Sequence, residues 1–112
     1  MWRAAWGSDW HGDLAMILSR SLVHAGAYDG GRLVGYVNVA WDGGTHAFLL
    51  DTTVDPDYQR RGIATALVRM VTAAAQARGA SWLHVDFEAR LGPFYEACGF
   101  RPTAAGLIAL TR

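Results

Sequence analysis

The sequence contains no lysine; all ten basic side chains are arginines. Schiff-base chemistry, a P-loop lysine and a kinase lysine are excluded with it. Codon usage in a GC-rich genome is a sufficient explanation of the bias. Cysteine is almost as scarce, and the single Cys98 rules out an intramolecular disulfide and a Cys-rich zinc site. An excess charge of either sign is missing too. Ten basic residues against ten acidic ones give a formal net charge of zero, which recommends neither a nucleic acid nor an anionic membrane as partner. No apolar run approaches the ~20 residues that cross a bilayer, because Arg or Asp interrupts each one. The opening Met1-Trp2-Arg3-Ala4-Ala5-Trp6-Gly7-Ser8-Asp9 lacks the apolar stretch of a secretory signal. These absences predict a soluble, cytoplasmic domain.

What is present is globular in character. The 112 residues are 52% hydrophobic, 12% aromatic and 18% charged, a composition that folds rather than one that stays disordered. A chain of this length buries roughly two-thirds of its unfolded surface, enough for one core. Residues 1–112 therefore read as a single domain, with no internal repeat, low-complexity tract or linker.

Helix and strand patterns alternate along the chain. Trp6, Trp10, Leu14, Ile17 and Leu18 recur at helical spacing, with Trp2 extending the stripe and Asp9 or Ser8 available as cap. The plain reading is an amphipathic helix packed on a sheet; the functional alternative is a lid over an acceptor pocket, or a contact between two copies in a homodimer. Next come strands over residues 25–28 and 32–41, joined by Asp29-Gly30-Gly31, and a third over residues 46–54 after Asp42-Gly43-Gly44. Both turns are hairpin chemistry. Asp55-Pro56-Asp57 stops the third strand. Residues 62–78 then turn helical, with Ile63, Leu67, Met70, Val71, Ala74 and Ala77 marking one face and Gly79 as a left-handed cap.

Residues 82–87 form a further strand, with Leu83, Val85 and Phe87 on one face and Trp82, His84 and Asp86 on the other. Strand, long helix, strand is a βαβ crossover, so the two strands are expected to be parallel neighbours. A short helix over residues 93–97 and a terminal strand pair, residues 99–101 and 107–110, complete the prediction.

The chemistry concentrates at Val54-Asp55-Pro56-Asp57-Tyr58-Gln59-Arg60-Arg61-Gly62-Ile63-Ala64-Thr65. A strand ends there, the chain turns and a helix opens. Unpaired N–H groups at a helix start, reinforced by the helix dipole, attract an anion. Gly62 lets backbone approach phosphate oxygens without a Cβ in the way, and Arg60 and Arg61 add fixed positive charge. This is a cradle for phosphate or pyrophosphate. A Walker A loop is excluded by the missing Lys. A Rossmann turn is excluded by its glycine spacing and by the antiparallel meander ahead of it.

Gln59-Arg60-Arg61-Gly62-Ile63-Ala64 resembles the signature of the GCN5-related N-acetyltransferases: Q or R, two residues, G, one residue, then G or A. Phe94-Tyr95-Glu96-Ala97-Cys98-Gly99-Phe100, some thirty residues later, resembles that family's FYxxxGF element. The resemblance covers about residues 14 to 110 and includes the strand order. It departs at the N-terminus, which is short for the family and leaves the usual first strand without a place.

The resemblance implies an α+β fold: a mixed, mostly antiparallel sheet flanked by helices, with a central βαβ crossover and strands splayed to admit acetyl-CoA. It implies that residues 59–65, namely Gln59, Arg60, Arg61, Gly62, Ile63, Ala64 and Thr65, bind the pyrophosphate of coenzyme A. Thr52, Thr53 and Val54 would pair with the pantetheine arm, and the Val54 amide would polarise the thioester carbonyl. Tyr95 matches the tyrosine that protonates, or hydrogen-bonds, the leaving thiolate; the alternative is an aromatic core residue beside Phe94 and Phe100. Asp51 stands first as candidate base and Glu88, where many relatives carry Asn, second. Cys98, after the tyrosine, reads as core rather than nucleophile.

The implied reaction is direct acetyl transfer from acetyl-CoA to a primary amine, of a small molecule or a peptide, in a ternary complex. A different class, a non-catalytic acyl-CoA-binding or sensor module on the same fold, stays open, although retention of Tyr95 favours an enzyme. Asp42, Asp51, Asp86 and Glu88 suit a cationic acceptor or are solvated turn residues. One further pattern competes. His84-x-Asp86 with a distant His46 resembles a 2-His-1-carboxylate iron site. That site belongs to all-β double-sheet scaffolds, and it leaves the phosphate cradle unexplained. No metal is expected.

Overall fold

Two glycine turns lay down the sheet. In the computed structural model, which describes residues 3–6 and 19–111, Gly30 has φ 62° and Gly43 has φ 82°. Positive φ in a tight turn matches the twist of the strands on either side. The Asp29↔Arg32 pair closes a two-residue loop between β2 (Ser21–Asp29) and β3 (Arg32–Trp41). In the second turn the Gly44 N–H donates to Asp42 Oδ1 at 2.7 Å, leading into β4 (His46–Val54). A fourth antiparallel strand, β1 (Arg3–Trp6), lines up against β2 with Trp6 opposite Ala25.

The N-terminus thus supplies the first strand that sequence reasoning had left without a place. Trp6 is a strand residue, not part of a helical stripe. Isolated tryptophans spaced by four fit a helix, but β1 exists because β2 presents a free edge to pair with, a tertiary cause that periodicity does not register. Trp2, Ser8, Asp9, Trp10, Leu14, Ile17 and Leu18 lie outside the described residues.

After β4 the chain makes a 3-10 turn (Pro56–Tyr58) and enters α1 (Ile63–Ala77). It returns as β5 (Trp82–Val85), then a second 3-10 turn (Ala89–Leu91) and α2 (Gly92–Ala97). The sheet order is β1-β2-β3-β4-β5. Its last pair, β4 with β5, is parallel, as the crossover requires.

One face of the sheet carries the core. Ala25, Ala27, Val37, Val39, Ala47 and Leu49 meet Ile63, Leu67, Val68, Val71 and Ala75 of α1. The buried helix stripe is rotated slightly from the expected one: Val68 and Ala75 are inside, whereas Ala77 is exposed at the last turn. Gly35 on β3 sets the approach. A Cβ there would sit 3.1 Å from both Ile63 Cγ2 and Leu67 Cδ1, so hydrogen in place of a methyl lets α1 lie directly on the strand.

The terminal strand pair does not form. Gly99, at φ 104°, and the Phe100 N–H, which donates to Tyr95 O at 3.1 Å, close the end of α2. This is C-cap geometry and takes residues 99–100 out of any ladder. Pro102 then removes a donor just beyond. Residues 101–111 carry no strand, and Leu107, Ile108 and Leu110 stay 82–93% exposed.

Candidate functional site

The site begins with an extra residue. Between the ladder pairs Tyr36↔Thr53 and Asn38↔Leu50, β3 contributes Val37 alone while β4 contributes Asp51 and Thr52. The resulting β-bulge bends β4, and Asp51 adopts φ 61°. Asp tolerates this left-handed region better than most residues. On the other side, β4 and β5 are paired only from His46↔Trp82 to Leu49↔Val85. From Leu50 onward β4 runs on without β5, and a cleft of about 530 Å³ opens between the end of β4, the start of α1 and the segment from Arg90 to Tyr95.

The turn after β4 is bolted to the β2–β3 hairpin. Asp55 caps the 3-10 turn by accepting from the Asp57 N–H at 2.9 Å, its own N–H donates to Val34 O at 2.7 Å, and its carboxylate pairs with Arg32 at 2.7 Å. Tyr58 donates its hydroxyl to Asp29 Oδ2 at 2.5 Å. That bond lowers the Asp29 carboxyl below its ordinary 3.8 and raises the Tyr58 phenol above its ordinary 10.0. The Arg61 guanidinium lies over the Tyr58 ring, 4.9 Å from its centroid. Gln59 reaches back across the turn, its Nε2 3.4 Å from Val54 O.

Beyond the turn, Arg60 at φ 65° and Gly62 at φ 78° swing the chain into α1. The first intrahelical bond is Ala66 N–H to Gly62 O, 3.0 Å. The N–H groups of Gly62, Ile63, Ala64 and Thr65 therefore have no partner within the helix. All four residues line the cleft, and a Cβ added to Gly62 would meet no atom within 4 Å. A cluster of free amides with Arg60 beside it fits an anionic, phosphate-like group.

The opposite wall comes from α2. Tyr95 is 6% exposed, its ring stacked on Phe87 at 4.8 Å and held edge-on by Phe94 at 4.9 Å and Phe100 at 5.8 Å. Tyr95 packs among aromatics, as one reading expected, and it also lines the cleft.

The cleft brings together most of the residues singled out from sequence. Thr52, Thr53 and Val54 form the strand wall, while Gln59, Arg60, Gly62, Ile63, Ala64 and Thr65 form the cradle. Arg61 is not among the lining residues; its side chain is held over Tyr58 instead. Asp51 and Glu88 do not line the cleft either. Asp51 immediately precedes Thr52, with its backbone carbonyl accepting from Thr53 Oγ1 at 3.0 Å. Glu88 is paired with Arg90 at 2.9 Å, both side chains largely exposed.

Arg90, Leu91, Phe94 and Tyr58 line the cleft and were missed. For Arg90 the available signal was a lone cation five residues before Tyr95. Cys98 is half-buried, and desolvation raises its thiol above the ordinary 9.0. It stays protonated near neutrality and is a poor nucleophile. His46 and His84 do meet, but Asp86 does not join them: among the described residues no three metal-ligating side chains cluster. No helix among them is long and apolar enough to cross a membrane.

Comparison with known proteins places this geometry. Mycothiol acetyltransferase of Nocardia farcinica is 40% identical over 63 residues, which is 56% of this chain but only 21% of that protein. The chain thus spans about a fifth of the length of this relative. The structure of a GNAT family acetyltransferase from Streptococcus pneumoniae TIGR4 superposes with a TM-score of 0.78 at 26% identity, covering 100% of this chain and 99% of that one. AAC(6')-Iy, solved with a bisubstrate analogue, CoA-S-monomethyl-acetylneamine, gives 0.74 at 16% identity, covering 100% and 99%. The model of the acetyltransferase (GNAT) family matches residues 1–100. With the parted parallel strands and the glycine-opened helix between them, this match settles the assignment: the chain belongs to the GNAT family of acetyltransferases.

Proposed function

We propose that the chain is an N-acetyltransferase that moves an acetyl group from acetyl-CoA directly to a primary amine, with both substrates bound at once. One observation carries this reading: Gly62 to Thr65, which open α1, and Tyr95 line the same cleft. A ligand gripped by its diphosphate at one end lies with its other end beside a phenol. Acetyl-CoA supplies an activated thioester there. AAC(6')-Iy, which shares the fold, holds a CoA-containing analogue, in keeping with a CoA-type donor.

The roles follow from position. The amides of Gly62 to Thr65 and the Arg60 guanidinium hold the diphosphate; Arg61 contributes through backbone and field, since its side chain is turned onto Tyr58. Thr52, Thr53 and Val54, on the stretch of β4 that β5 has left, offer edge hydrogen-bonding groups to an extended pantetheine arm. The Val54 amide polarises the thioester carbonyl. Tyr95 gives its proton, or a hydrogen bond, to the leaving sulfur. No side chain forms an acyl-enzyme, consistent with the protonated, half-buried Cys98.

An ammonium ion has no lone pair with which to attack, so the acceptor must first lose a proton. Asp51 is the better placed base. It immediately precedes Thr52, which lines the cleft, and it sits in the bulge of β4. Glu88 comes second because Arg90 already occupies it. The acceptor is an amine of a small molecule or a peptide.

The test is steady-state kinetics with acetyl-CoA and a panel of amines. Tyr95→Phe is expected to lower kcat by about 10²-fold or more, the scale of one general acid, with CoA affinity retained. Unchanged turnover would return Tyr95 to packing alone. CoA binding without turnover on any acceptor would favour a binding or sensor module.

A further inference from the structure

We propose that His46 and His84 form an open, two-histidine site for a late first-row divalent cation such as Cu²⁺, Ni²⁺ or Zn²⁺, distinct from the acetyl-transfer cleft. The two side chains come from neighbouring parallel strands, in which His46 faces Trp82 and Phe48 faces His84. This register sets His84 diagonally across from His46 on the sheet face that α1 does not cover. His46 Nδ1 and His84 Nε2 lie 2.8 Å apart, and both side chains are exposed. The His84 ring is stacked on Phe48, with centroids 4.9 Å apart and planes 20° from parallel.

Two ring nitrogens at that distance share one proton: one donates and the other accepts. A divalent ion in the proton's place binds both as neutral imidazoles, the form in which histidine ligates metals. With metal–nitrogen bonds of about 2.0–2.1 Å meeting at about 90–110°, the two nitrogens stand about 2.8–3.4 Å apart. The ring centroids lie 5.1 Å apart, so the nitrogens face each other in the free protein, and the side chains, both exposed, turn until their lone pairs meet at the ion. Exposure leaves the remaining coordination positions to water, and imidazole suits zinc, nickel and copper. Asp86, the carboxylate an iron triad would need, does not cluster with the pair. The site is therefore not the 2-His-1-carboxylate type but a bidentate clasp. It ties β4 to β5 at their paired end, away from the parting where the cleft opens.

The experiment is calorimetric titration of the full chain, carrying no histidine tag, with NiCl₂, ZnCl₂ and CuCl₂ in turn, repeated on His46→Gln, His84→Gln and the control His24→Gln. The expected result is one ion per wild-type chain, copper binding tightest in accord with the general order of divalent affinities. Either clasp variant loses affinity by about tenfold or more, the scale on which even outer-shell partners of a ligand act, while His24→Gln does not. Proton NMR gives a readout that needs no variant: paramagnetic Ni²⁺ is expected to broaden the imidazole resonances of His46 and His84 ahead of the other histidines. Equal binding by wild type and both clasp variants, or broadening centred on another histidine, overturns the proposal. So does the absence of any binding by wild type.

Discussion

The Tyr58 hydroxyl donates to Asp29 Oδ2 across 2.5 Å, joining the turn that opens the anion cradle to the hairpin two strands away. Arg32 and Asp55 make a parallel tie between the same two segments. These contacts position Arg60 and Gly62, neither of which takes part in them. Tyr58→Phe is expected to lower the urea midpoint of unfolding with the slope unchanged, and to weaken CoA binding more than it disturbs the fold. Chemical denaturation paired with calorimetry on the same protein checks both halves of the statement.

The same contact sets a pH window. The Asp29 carboxyl is held below 3.8, chiefly by the Tyr58 hydrogen bond, so its contribution is present above that pH and is lost as pH falls through its folded value. The Tyr58 phenol is raised above 10.0, chiefly by Asp29, so its contribution is present below pH 10.0 and fades as pH rises through its folded value. Urea midpoints measured across pH are expected to show both losses in wild type, and to show them diminished in Tyr58→Phe.

Packing between α1 and β3 is tight enough to be probed from either side. Gly35→Val drives branched carbons into the positions of Ile63 and Leu67 and is expected to cost about 1–3 kcal/mol or more. Leu67→Ala, at a fully buried position, leaves a cavity and is expected to cost about 2–5 kcal/mol. The two residues touch, so the double variant should fall short of the sum of the single losses.

At Asp51 the backbone and the carboxylate can be separated. Its φ of 61° is one that glycine adopts freely. Asp51→Gly is expected to leave stability equal or slightly higher and to remove the proposed base. Asp51→Asn keeps an αL-tolerant residue and removes only the charge. Both variants are expected to lower kcat at neutral pH and to recover part of it as pH rises and free amine becomes abundant. Retention of full activity by Asp51→Asn, with Glu88→Gln impaired, would transfer the role to Glu88.

Much of this was written in local sequence. Gly30 and Gly43 announced the two hairpins, and Gly62 and Gly79 bracketed α1, because each needs a backbone conformation that few other residues accept. The cleft was legible from Gln59 to Thr65 because a helix start with glycine and arginine has one obvious electrostatic use. What escaped reading depended on distant partners. β1 forms because β2 offers a free edge. The strand expected near Gly99 was lost to the cap of α2. The bulge at Asp51 is a mismatch in length between two strands, invisible in either alone. Arg90 entered the cleft from the 3-10 turn that follows β5, and His46 met His84 only through the parallel register of β4 and β5.

The central claim is that the amides opening α1 grip a diphosphate. Calorimetric titration of the chain with coenzyme A, beside Gly62→Glu, tests it most directly. One site per chain in the wild type, abolished by a carboxylate placed before those amides in a variant that still unfolds cooperatively, at a midpoint lowered by the strain of a side chain at φ 78°, is the predicted result. Wild type that takes up no coenzyme A, or a Gly62→Glu chain that binds it equally well, would contradict the account.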